Sequence, residues 1–115
     1  MNEELSNRFK QMIRLAMLYA QDSHKYIFKK NTDPSIAIAY LNAASSKFAS
    51  AESLYFARID DLQNNDAETL FHLFDVYVKE LLDNFATDHS HQWTDIEFIR
   101  LKEHFDHSVF APSNM

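Results

Sequence analysis

Six histidines give this 115-residue chain its widest chemical reach, because imidazole can bind a metal or move a proton near neutral pH. His89 and His91 form an H-x-H with Asp88 just before them, and His104 and His107 stand three residues apart further on. Imidazole and carboxylate donors of this kind could hold Zn²⁺ with three ligands and one open position. The spacing works against that reading. An H-x-H in a loop has no helix to fix its rings, and His104 lies about 20 Å away along a straight helix. Dinuclear carboxylate sites in helical bundles need an E-x-x-H on each of two helices, and the sequence contains none. His24 and His72 flank apolar stripes and are expected at the core boundary. No metal, cofactor-binding or catalytic residue is assigned, and no cofactor is expected.

Serines are plentiful, but none stands in a strained turn beside a base, as nucleophilic catalysis would require. Arg100 and His107 form an R-x6-H. This pair resembles the motif of the HEPN-type helical-bundle ribonucleases, over eight residues of the chain. The resemblance implies a nuclease-like enzyme in which Arg100 stabilises the scissile phosphate and His107 acts in acid–base chemistry. The family usually has a polar residue after the arginine, where this chain has Leu101.

Composition removes other classes. Glycine is absent, where average usage of about 7% would give roughly eight. The phosphate-cradling P-loop, the dinucleotide G-x-G-x-x-G turn and the nucleophile elbow all depend on glycine. Tight hairpin turns also favour it, so a hairpin-rich β fold is not expected. Without cysteine there is neither a disulfide framework nor a thiol nucleophile. The net charge of −6 disfavours nucleic-acid binding, whose affinity comes largely from Lys and Arg. The charge is lopsided: residues 1–30 sum to +3 and residues 64–92 to −5, with Lys10, Arg14, Lys25 and Lys29 near one face of the first helix. The basic first helix is expected to be neutralised by the acidic third, within the chain or between subunits. No run of about 18 apolar residues exists to span a membrane. The N-terminus lacks a signal-peptide pattern, so a cytoplasmic chain is expected.

Apolar periodicity places four helices. The first covers about residues 2–30, with Leu5, Phe9, Met12, Ala16, Tyr19 and Ile27 on its stripe and Ile13, Met17 and Ala20 beside them. Asn31-Thr32-Asp33-Pro34 ends it and caps the next. The second is expected over about 34–63, with Ala37, Leu41, Ala44, Phe48, Ala51, Tyr55 and Leu62 facing the core. Asn65 and Glu68 open the third, whose face carries Ala67, Leu70, Phe74, Val78, Leu81 and Phe85, with Phe71, Tyr77 and Leu82 beside it. Thr94-x-x-Glu97 reads as the capping box of a fourth helix through Phe98, Leu101 and Phe105, with Trp93 stapled to Phe98 before it. Short connections between helices predict one domain over 1–115, an all-α, up-and-down antiparallel four-helix bundle with two long N-terminal helices. Residues 111–115 are expected to fray.

The second helix has an unusual far side. Ala39, Ala43, Ser46, Ser50, Ser53 and Ala57 recur at steps of 4, 3, 4, 3 and 4, roughly opposite its large residues. A line of small side chains lets another helix approach closely. A solvated face would normally carry Lys and Glu, and this line carries neither. The expectation is a helix packed on both sides, inward through its bulky stripe and outward against a second copy or another protein. A non-enzymatic, self-associating or protein-interaction module follows from that pattern.

Overall fold

The computed structural model describes residues 3–27, 34–87 and 91–112, which form five helices and no strand. They are α1 (Glu3–Ile27), α2 (Pro34–Ala57), α3 (Ile59–Leu62), α4 (Asn65–Thr87) and α5 (His91–Asp106). The chain is all-α, as its periodicity predicts. It divides into two compact units, Met1–Asn64 with Phe110–Met115, and Asn65–Val109.

The first unit is built on an antiparallel pair of long helices. Phe9, early in α1, stacks on Tyr55, late in α2, with ring centroids 5.7 Å apart. Tyr26 and Tyr19, late in α1, lie 5.7 and 6.5 Å from Tyr40, early in α2. The seam takes Phe9, Ile13, Ala16, Ala20 and Ser23 from α1, and Ala37, Leu41, Ala44, Phe48, Ala51 and Tyr55 from α2, all buried. Alternating alanine with bulky residues gives each large side chain room opposite a small one, so the seam fills without forcing the helices apart. Ser23 survives in this apolar setting because its hydroxyl donates to the Ala20 carbonyl at 2.8 Å.

The second helix does not run unbroken to 63. Arg58, with φ −125° and ψ 40°, interrupts it, and the single turn α3 follows. The Arg58 carbonyl accepts from the amides of Asp61 and Leu62 at 3.0 Å, so α3 is started by the residue that ends α2. The Arg58 guanidinium reaches Asp61 Oδ2 at 2.7 Å. Tyr55, fully buried, closes the corner by bonding through its hydroxyl to both backbone groups of Asn64.

Phe110 belongs to this unit although it follows α5 in sequence. Its ring, 2% exposed, meets Phe9 edge-on at 5.6 Å, and its carbonyl accepts from Arg14 Nε at 2.6 Å. Residues 113–115, three of the five expected to fray, lie outside the described residues.

The second unit is a second antiparallel hairpin, of α4 and α5. Tyr77 in the middle of α4 packs on Phe98 of α5 at 5.5 Å, and His104 in the last turn of α5 stands 3.3 Å from Asp66 in the first turn of α4. Ala67, Leu70, Phe71, Phe74, Tyr77 and Leu81 of α4 are buried, with Leu101 and Phe105 of α5. Here the capping box at Thr94 is not formed. The helix starts at His91, so Thr94 sits inside it, fully buried, and Glu97 pairs with Arg100 at 2.9 Å. The Trp93 staple fails for the same reason. Trp93 falls within the first turn, 54% exposed, while Phe98 turns to Tyr77.

Candidate interaction face

Helices α1 and α4 present ordinary solvent faces. The exposed positions of α1 include Glu3, Glu4, Arg8 and Lys25, and those of α4 include Glu68, Asp75, Lys79 and Asp83. Charges there keep the face hydrated, although Leu18 of α1 and Leu82 of α4 are also more than half exposed. The outer side of α2 is different. Its exposed residues are Ser35, Ile36, Ile38, Ala39, Asn42, Ser46, Ala49, Ser50, Ser53, Phe56 and Ala57, and none carries a charge. The only charged residues of α2, Lys47 and Glu52, are half-buried and stand on opposite flanks of that side.

The small-residue line lies within this face. Ala39, Ser46, Ser50, Ser53 and Ala57 are exposed and Ala43 is half-buried. The bulky stripe on the other side is buried throughout, from Ala37 to Tyr55. Large apolar groups stand toward the two ends of the face, with Ile36 and Ile38 42% and 41% exposed at one end and Phe56 58% exposed at the other. Beside Phe56 is a shallow depression of about 400 Å³ lined by Ala49, Glu52, Ser53 and Phe56, all from α2. With walls from one helix only, it is a dent in the surface rather than a cage for a small molecule. A helix ridge with small residues along it and apolar groups at its ends is suited to receiving another helix.

The other candidate residues are dispersed or engaged. His89 lies outside the described residues, as does the side chain of His91. Among the described residues no group of three or more His, Asp or Glu is placed to hold a metal ion. Arg100 and His107 share one side of α5, about 10 Å apart along its axis. Arg100 is held by Glu97, and the His107 ring donates from Nδ1 to the Glu103 carbonyl at 2.8 Å, close to where the helix ends. That contact satisfies a terminal carbonyl of α5 and gives His107 a capping role. Of the basic residues on α1, Arg14 is committed to Phe110 and Lys25 lies over the Tyr26 ring, 5.5 Å from its centroid. Lys29 lies outside the described residues. No helix among the described residues is long and apolar enough to cross a membrane.

The exposure of both Ile38 and Phe56 on the outer side of α2, and the restriction of its charges to Lys47 and Glu52, were not part of the sequence expectation. The signal is present in the spacing, since Ile38 and Phe56 are 18 residues, or five helical turns, apart. Compared with protein-family models, with curated proteins and with solved structures, the chain finds no match.

Proposed function

We propose that this chain is a non-enzymatic helical module that associates with a second copy of itself through the outer face of α2. The observation that carries the reading is that every exposed described residue of α2 is uncharged, on a chain whose other long helices expose several charges. Two copies, each with a net charge of −6, repel one another over most of their surface and least where that surface carries no charge. Alanine and serine lose little side-chain entropy on burial, so a seam made of them is ordered at low cost.

The test is sedimentation velocity or light scattering across a concentration series, on the native chain and on Ala43→Glu with Ser50→Lys. The native chain is expected to gain mass with concentration into the high micromolar range. The variant is expected to remain monomeric; Ser50→Lys alone, at an exposed position, is expected to stay within about 0.5 kcal/mol of native stability and serves as the folding control beside half-buried Ala43. A native chain that stays monomeric throughout overturns the proposal.

A further inference from the structure

We infer that α5 has two starting points, the observed one at His91 and a second at Thr94, and that its first turn switches between them. This goes beyond the self-association proposed above and does not depend on it. It comes from a buried hydroxyl. Thr94 is fully buried, and its Oγ1 finds no hydrogen-bond partner among the described residues. An unpaired hydroxyl in the interior weighs against the state that holds it. The extra turn brings little burial in return. His91, Gln92 and Trp93 lengthen the helix, yet Gln92 is exposed and Trp93, the only tryptophan of the chain, remains 54% exposed.

A start at Thr94 gives each of these groups a partner. As the N-cap residue, Thr94 accepts through its hydroxyl from the Glu97 N–H, and the Glu97 carboxylate leaves Arg100 to accept from the Thr94 N–H. Trp93 then stands just before the cap and closes on Phe98, which is half-buried beside Tyr77. Charge favours the same start. The first turn of the observed helix carries no acidic residue, whereas a helix begun at Thr94 places Asp95 and Glu97 at its positive end. Against this, the amides of Asp95, Ile96 and Glu97 give up their ladder bonds to the first turn. The cap takes up Glu97 again, and Asp95 and Ile96 are left to water. Backbone bonds lost at a helix end are remade with solvent, while the gain is a hydroxyl satisfied and a ring covered. The two starts therefore lie close enough to exchange, and any contact that grips the exposed Trp93 favours the longer one.

Native-state amide exchange by NMR, with acrylamide quenching of Trp93 fluorescence, tests the switch on the full chain. Thr94→Val fills the buried position without a hydroxyl and cannot cap. It is expected to hold the longer start, slowing exchange at Asp95 and Ile96 about tenfold or more relative to the native chain, with residues 98–105 little changed. Thr94→Asp caps more strongly and cannot keep a carboxylate in the buried position. It is expected to hold the shorter start. Asp95 and Ile96 then lose protection, residues 98–105 keep theirs, and Trp93 is quenched about two-fold less because it closes on Phe98. Unchanged or faster exchange at Asp95 and Ile96 in Thr94→Val overturns the inference. So does a Thr94→Asp chain whose Trp93 is quenched as strongly as in the native chain or more, the mark of a turn that frays without a second start. Loss of protection across residues 98–105 in that variant overturns it as well, since Thr94 is then fixed inward.

Discussion

The hydroxyl of Tyr55 stands between the two backbone groups of Asn64, accepting from its N–H at 2.9 Å and donating to its carbonyl at 3.2 Å. One side chain thereby replaces the turn geometry that a glycine-containing corner would provide. The ring beneath is fixed between Phe9, stacked at 5.7 Å, and Phe56, edge-on at 5.1 Å. Removing only the oxygen, in Tyr55→Phe, leaves that packing in place and removes both of these bonds to Asn64. A loss of about 1–2 kcal/mol is expected from urea unfolding, with the slope unchanged. A variant as stable as the native chain would show that water serves the corner equally well.

Phe48 lies at the centre of the buried side of α2, 3% exposed. Phe48→Ala leaves a void between long helices that cannot easily close up, and should cost about 3–5 kcal/mol in the same measurement. An effect below about 1 kcal/mol would mean that the seam relaxes around the gap.

The bond from Arg14 Nε to the Phe110 carbonyl spans 96 positions of sequence at 2.6 Å. Arg14→Met keeps most of the aliphatic stem and removes the donor. It should destabilise the first unit by about 1–3 kcal/mol and speed amide exchange around residues 110–112. Unchanged exchange there would show that the Phe110 ring on Phe9 suffices to hold the segment.

Surface charge pairs should matter far less. His104 Nε2 and Asp66 Oδ1 are 3.3 Å apart but not aligned as a hydrogen bond, and both side chains are about a third exposed. Arg100 is 64% exposed where it meets Glu97. Asp66→Asn and Arg100→Ala are each expected to change stability by less than about 1 kcal/mol. A loss above 2 kcal/mol in either would identify that residue as part of a larger network.

The bulky side of α2 was legible because period alone determines it, and every residue from Ala37 to Leu62 on that stripe is buried as expected. On the first helix the apolar pattern includes Ile13, Met17 and Ala20, which are buried, but also Met12 and Tyr19, which are half-buried, and it omits buried Ser23. Ser23 is invisible to an apolar pattern because a short hydroxyl can bond back to its own helix and behave as a small core residue. The break at Arg58 left no mark either. Arginine is a good helix former, and the corner depends on Tyr55 reaching Asn64 nine positions later. At α5 a cap-like tetrad was a false boundary, since Thr94 turned inward within a helix begun three residues earlier. The outer face of α2 was half legible. Its small residues showed in the spacing, but a line of Ala and Ser suits exposure and close packing alike, and periodicity has no means of telling them apart.

The placement of Phe110 carries a consequence for how the chain is made. The first hairpin is complete in sequence by Asn64, yet its aromatic cluster lacks one ring until 45 further residues, the entire second unit, have been synthesised. On the ribosome, α1 and α2 can therefore meet before the ring that covers Phe9 has been made, and the cluster is completed only once the last turns of the chain emerge.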